Sequence, residues 1–447
     1  MTQSHYRSGM TETAVPPTIY KGLAGVVVDT TAISKVVPET NSLTYRGYAV
    51  QDLAEHCSFE QVAYLLWNGE LPTVAQLELF CQRERANRRA DRSLLALVAK
   101  MPENCHPMDV VRTAISYLAR GSAGWDNDPK ANHEKALRMM AVLPTIVAAD
   151  HRRRHGQDPI APHHSLGFAE NFLNMCFGKV PDAQIVKAFE VSLILYAEHS
   201  FNASTFAARV VTSTLSDIYS AVTAAIGTLK VPLHGGANEA VMHDMLEIGE
   251  PECAEEWMRG KLSRKEKVMG FGHRVYKNGD SRVPTMKKAF LDVAAHTGDE
   301  KWVRMYDILE KTMGDATGIE PNLDFPTGPA YYLMGFDIEV FTPDLRHEPD
   351  HRVDGAHHRA GRIQRPDPPA QRIHRRPATV RRGLTPTEQR PGGGSVVHRS
   401  YPPGRVPPLR PAPANPVLVA TDRSIASLRR LPPPTFWSCP RRVPFRR

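Results

Sequence analysis

The sequence has no cysteine pair at CxxC spacing. Its six cysteines, at 57, 81, 105, 176, 253 and 439, are scattered over 447 residues, so neither a zinc ribbon nor a disulfide framework is expected. It also lacks a long apolar run. The longest, Met139 to Ala149, is far short of a bilayer span, and the opening MTQSHYRSGMTETAVPPTIYKG has no apolar stretch suited to a secretory signal. A cytoplasmic, reduced protein is the expectation. No GxxxxGK[ST] loop occurs, which argues against a P-loop site. Gly270 and Gly272 begin a GxGxxG-like pattern, but Val275 stands at its third glycine and no strong strand precedes it, so a dinucleotide site is disfavoured. GxSxG is missing, and the one HExxH match, HEPDH at 347–351, has a proline inside it, which breaks the helix that motif requires. Despite 19 histidines, HRRRH at 151–155 and the pair His163–His164 read as solvated loops, and no metal site is expected.

What is present is ordinary globular composition, 41% hydrophobic and 23% charged, in a chain long enough for two or three units. The net charge of +8 conceals an asymmetry. Residues 344–447 carry 21 Arg, no Lys and 7 acidic residues, a net +14, while the first 343 residues are mildly acidic at −6. The same last 104 residues hold 19 of the 37 prolines, so helix continuity and backbone donors are lost together there. This stretch reads as disordered and low in complexity.

Residues 1–19 read as a flexible arm, followed by short β-branched runs, KGLAGVVVDTTAISKV and NSLTYRGYAVQDL, suited to small hairpins. After Cys57 the apolar period becomes helical. In SFEQVAYLLWNGELP, Ser58 caps a helix with Val62, Leu65 and Leu66 on one face, and Gly69 with Pro72 ends it. HPMDVVRTAISYLA, KALRMMAVLPTIVAAD (with a kink expected at Pro144), PDAQIVKAFEVSLILYAEHSF and NASTFAARVVTSTLSDIYSAVTAAIGTL follow the same period. The fold class expected is mostly α.

Three polar constellations stand out. EHSFNAST puts Glu198, His199, Asn202 and Ser204 at the end of an apolar helix, where burial is costly unless they are paired or face a ligand; a His and an Asn capping a helix junction is the plainer alternative. In PLHGGANE, His234 precedes a glycine pair and a resuming helix, whose positive end favours a neutral, hydrogen-donating imidazole; an ordinary turn with a capping His is the alternative. GFGHRVYKNGDSR offers His273 and Arg282, a guanidinium suited to a carboxylate. PNLDFPTG offers Asp324, whose neighbours Leu323, Phe325 and Pro326 could desolvate it into a general base. Singly, Asp324 could cap a helix and Arg282 could form a surface ion pair. Together they suit carbon-acid chemistry on an acidic substrate.

EHSFNASTFAARV, LHGGANEAV, GFGHRVYK and PNLDFPTG, in this order and spacing, resemble the citrate synthase family. LTYRGYAVQDLAEHCSFEQVAYLLWNGELPT and CHPMDVVRTAISYL also fit its bacterial 2-methylcitrate synthase branch. The resemblance covers about residues 20–343. It implies a two-domain helical fold: a large domain at 20–230, a small domain carrying the catalytic loops at 231–330, and a return to the large domain at 331–343, assembled as a homodimer or higher homo-oligomer. It further implies a Claisen-type condensation of propionyl-CoA or acetyl-CoA with oxaloacetate, giving 2-methylcitrate or citrate and free coenzyme A, with no metal or redox cofactor. By the same resemblance His234, His273 and Asp324 are catalytic. His199, Arg282 and Asn202 bind oxaloacetate, and Lys267, Val268, Met269, Gly270 and Phe271 contact the coenzyme A adenine.

After GFDIEVFTP the chain leaves the family pattern, which continues with an apolar helix and two arginines that bind oxaloacetate carboxylates. Here DLRHEPDHRVDGAHHRAG follows, and Pro349 stands where the first of those arginines belongs. The family's C-terminal helices are replaced too. The tail's Arg, Pro, Gly and Ala are products of G- and C-rich codons, which points to a shifted reading frame near codon 344. The competing expectation is a genuine basic extension that binds nucleic acid or an anionic membrane, although its few aromatics weaken base stacking.

Overall fold

The computed structural model describes residues 27, 29–37, 41–120, 127–230, 235–273, 276 and 279–341. The N-terminal arm, His234 and the whole of 344–447 lie outside these residues.

The β-branched run near the start forms a small antiparallel sheet in the order β1 (Ser34–Val37), β2 (Ser42–Tyr45), β3 (Tyr48–Ala49), with Ser34 opposite Tyr45. Fifteen α-helices follow among the described residues: α1 (Val50–His56), α2 (Phe59–Asn68), α3 (Val74–Asn87), α4 (Arg92–Ala99), α5 (Pro107–Leu118), α6 (Pro129–Arg154), α7 (Phe168–Phe177), α8 (Ala183–Tyr196), α9 (Ala203–Ser213), α10 (Ile218–Leu229), α11 (Ala237–Ile248), α12 (Ala254–Ser263), α13 (Val283–Thr297), α14 (Lys301–Thr317) and α15 (Asp324–Leu333).

The helix starts are written locally. Ser58 and Gln61 form a reciprocal capping box at α2, as Thr73 and Gln76 do at α3. Asp91 and Asp128 accept backbone N–H bonds at the starts of α4 and α6. Val62, Leu65 and Leu66 of α2 are buried, as the spacing requires, and Gly69 is its C-cap. Pro144 sits inside α6, which continues from 129 to 154.

One large apolar cluster runs from Leu43 and Tyr45 through α8, α11, α13 and α14 to Phe341. Tyr45 ties the sheet to the end of α8 by donating its hydroxyl hydrogen to the Ile194 carbonyl at 3.0 Å. The motif HRRRH departs from its expected place in a solvated loop. Residues 151–154 complete the last turn of α6, and His151 is 5% exposed. It lies three and seven residues from the buried Ala148 and Pro144, so the apolar face of the helix carries it inward. His163 and His164 are exposed and stacked, with ring centroids 4.6 Å apart. No helix among the described residues is long and apolar enough to cross a membrane.

Candidate active site

Three interruptions of the helical pattern meet at one cavity: 197–202 between α8 and α9, 264–282 between α12 and α13, and 318–323 between α14 and α15. At the first, Ser200 takes a left-handed conformation with φ 56°, uncommon for a residue with a side chain. Ser34 of β1 holds this bend: its Oγ accepts from Ser200 N at 2.9 Å and donates to Glu198 Oε1 at 3.1 Å. Asn202 then caps α9, its Oδ1 accepting from Thr205 N at 2.8 Å.

The other two interruptions pair with each other. Gly272 N donates to the Glu320 carbonyl and Asn322 N to the Gly270 carbonyl, both at 2.9 Å, while Asn322 Nδ2 reaches the Gly272 carbonyl at 2.9 Å. Gly270 has φ +83°, and a Cβ there would meet Val241 Cγ2 at 2.6 Å and Phe325 Cδ2 at 2.9 Å. Only glycine fits, because both the backbone angle and the space exclude a side chain. Asp324 begins α15, which crosses α11 so closely that a Cβ on Gly328 would lie 2.6 Å from the Asn238 carbonyl oxygen.

The cavity has a volume of about 2200 Å³. His199, Asn202, His273, Arg282 and Asp324 line it, together with every residue from Lys267 to Phe271. Gly235 lines it as well, next to His234 in the chain. Ten of the eleven site residues named from sequence thus face one hollow, and the eleventh, His234, lies outside the described residues.

The charges are arranged unevenly. Burial raises the Asp324 carboxyl to about 6, against the opposing pull of a hydrogen bond from Tyr196 and the more distant Arg282 guanidinium. The Tyr196 hydroxyl donates to Asp324 Oδ1 at 2.6 Å. Burial lowers His199 to about 4, helped by Arg282 and His273, and lowers His273 as well. Their rings stand 5.1 Å apart, each near Tyr276. His199 Nε2 is closed off from solvent and has no hydrogen-bond partner among the described residues. The site therefore offers two neutral imidazoles beside a carboxyl that titrates near neutrality.

Arg282 differs from the surface ion pair considered above. It is 6% exposed, and its fork grips Asp280, with Nε to Oδ1 at 2.9 Å and Nη2 to Oδ2 at 2.6 Å. Although desolvation opposes it, this pairing keeps the Asp280 carboxyl below its ordinary value. Asp280 Oδ2 also accepts from Leu323 N at 3.2 Å, so the pair sits directly behind the loop that presents Asp324. Sequence reasoning missed Tyr196, Asp280 and Asn322. Asp280, two residues before Arg282, and Asn322, two before Asp324, were the available signals.

The chain matches the family model "Citrate synthase, C-terminal domain" over residues 22–345. The 2-methylcitrate synthase of Mycobacterium tuberculosis is 72% identical over 327 residues, covering 73% of this chain and 83% of its own length. The citrate synthase of Mycolicibacterium smegmatis is 74% identical over 328 residues, covering 73% and 87%. Among solved structures, the ternary complex of carboxymethyl coenzyme A and oxaloacetate with citrate synthase from Thermoplasma acidophilum is 30% identical, with a TM-score of 0.67 over 73% of this chain and 88% of that one.

Proposed function

The chain belongs to the citrate synthase family, and from that premise we propose that it condenses an acyl-CoA with oxaloacetate at the cavity holding Asp324, with propionyl-CoA as the preferred acyl donor and acetyl-CoA as the alternative. The observation that carries this reading is a carboxyl raised to about 6 beside a neutral His273 in one hollow. A base with a pKa near the working pH combines a large ionised fraction with useful proton affinity.

In this reading Asp324 takes the α-proton of the thioester, and His234 donates a hydrogen bond to the thioester oxygen as the enol forms. His273 donates to the oxaloacetate carbonyl oxygen, on which negative charge grows as the enol carbon attacks. Donors aimed at such charge are each worth about 10²- to 10³-fold in rate. Water then cleaves the citryl-type thioester and coenzyme A leaves. His199 and Arg282 hold the oxaloacetate carboxylates and Asn202 shapes their pocket, while 267–271 receives the adenine. The part at 231–330 closes on the part at 20–230 and 331–343, excluding water until condensation is complete. A homodimer is supported by α9, which buries no side chain within one chain, and by Val210 and Leu215, exposed at 49% and 83%. Coenzyme A release measured with propionyl-CoA and with acetyl-CoA tests the reading. Oxaloacetate-dependent release, faster with propionyl-CoA, is expected; absence of release with both would overturn it.

The second reading rests on Pro349 and the +14 charge of 344–447: an impaired enzyme of the same fold whose basic tail binds nucleic acid or an anionic surface. Two guanidiniums lost from a bound dianion cost several kcal/mol, at about 1.5–3 kcal/mol for each charged hydrogen bond. Salt-sensitive DNA retention, abolished by truncation before Asp344, would favour it. Translation of the coding DNA in the other two frames tests the frame shift, which requires an apolar segment with both arginines in one of them.

A further inference from the structure

Away from the cavity, the end of α6 brings together two histidines and an aspartate that the condensation does not use. His151 lies in the last turn of α6 and His155, four residues on, is the C-cap of that helix, and Asp337 lies just beyond α15, before a single 3-10 turn at Ile338–Val340. Asp337 Oδ2 is 3.5 Å from His151 Nδ1 and 3.3 Å from His155 Nε2, and the three ligating atoms all lie within 4.8 Å of one another. Atoms bound tetrahedrally to zinc at 2.0–2.1 Å stand roughly 3.3 Å apart, so the two measured separations are those of adjacent ligands around one ion.

The arrangement around the donors agrees. His155 Nδ1 lies 2.8 Å from the His151 carbonyl oxygen. The tautomer that donates there leaves the Nε2 lone pair directed at Asp337, the orientation that outer hydrogen bonds impose on ligating histidines. His151 is 5% exposed, and its buried Nδ1 has no hydrogen-bond partner among the described residues. Three arginines crowd this turn, yet their donors are directed elsewhere. Arg153 and Arg154 both grip Asp150, and Arg152 turns to the carbonyl oxygens of Asp158 and Cys176. Among the described residues, the ion pairs of Asp337 are with the two histidines alone.

We propose that His151, His155 and Asp337 form a binding site for a zinc-type divalent cation, separate from the condensation site, that pins the segment after α15 to the end of α6. Two imidazoles and one carboxylate favour zinc and its neighbours over magnesium or calcium, which prefer all-oxygen shells. The segment so held includes Phe341, which lines the catalytic cavity, so the ion would brace part of that wall.

The test is equilibrium dialysis of the full chain, stripped with chelator, against Zn²⁺, alongside His155→Gln and Asp337→Asn. Both substituted side chains are partly exposed, at 41% and 46%, and circular dichroism verifies that each variant is folded. Histidines elsewhere contribute the same background to all three proteins. The wild type is expected to bind one more equivalent than either variant, and Mg²⁺ is expected not to displace it. Equal stoichiometry and affinity in all three folded proteins, or displacement of the extra equivalent by Mg²⁺, would overturn the assignment.

Discussion

Asp280 and Asp324 lie on the two sides of one short loop contact, and the protein treats them in opposite ways. Asp280 is buried against the Arg282 fork and accepts from Leu323 N; its carboxyl is held below the ordinary value, so its charge is permanent. Asp324 is half-buried with one neutral partner, Tyr196, and its carboxyl rises to about 6, so its charge comes and goes near neutrality. Paired titratable groups pushed apart in this way divide structural from chemical work. The fixed ion pair supports the backbone, while the under-compensated carboxyl keeps its affinity for a proton.

Amide substitutions test the contrast most sharply. Asp324→Asn is expected to lower kcat about 10²- to 10⁴-fold in a coenzyme A release assay. Asp280→Asn leaves Arg282 buried without its counter-charge, so a loss of roughly 3–5 kcal/mol in urea unfolding is expected. The two should also differ in sign on stability. A carboxyl whose folded pKa is raised contributes stability that is fully present below its unfolded pKa and lost as pH rises through the folded value. Asp324→Asn should therefore melt higher than wild type at neutral pH, with the difference vanishing below about pH 4, near the unfolded aspartate value. A lower melting temperature for Asp324→Asn at neutral pH would break the contrast.

Gly270→Ala comes next. The side chain would collide with Val241 and Phe325 at a positive φ, costing about 1–3 kcal/mol and displacing the loop, which denaturant titration and the KM for acyl-CoA would both register. The smallest effect is expected from Tyr196→Phe. Its hydroxyl now lowers the Asp324 pKa, so its removal should move the acid limb of kcat/KM upward. The shift should be up to about one pH unit, since such a hydrogen bond is worth about 0.5–1.5 kcal/mol. An unmoved limb would show that burial alone sets the base.

The helices were legible because their signals are local: the capping box of Ser58 and Gln61, the stripe of Val62, Leu65 and Leu66, and Gly69 at the end of α2. The environment of Asp324 was partly legible, because Leu323, Phe325 and Pro326 are its chain neighbours and all three are buried. Tyr196 was not, since it reads as the last residue of an apolar helix and meets Asp324 only across 128 positions. Arg282 was read for its own charge, without Asp280, because a guanidinium beside an acid in sequence faces it only when the turn between them brings them together. HRRRH reads as a solvated loop because the apolar face of α6 reaches His151 only at its very end, and Asp337 approaches from far along the chain.

The close crossing of α11 and α15 has a mechanical consequence. With Gly328 against the Asn238 carbonyl oxygen and the Val241 side chain beside them, the two helices meet at that point without room for a further side chain, so one rod cannot slide along the other without collision. Asp324 and the residues that open α11 at Ala237 are therefore carried as one part, with their spacing set like jaws cast in a single piece. Breathing of the cavity falls to the walls opposite them.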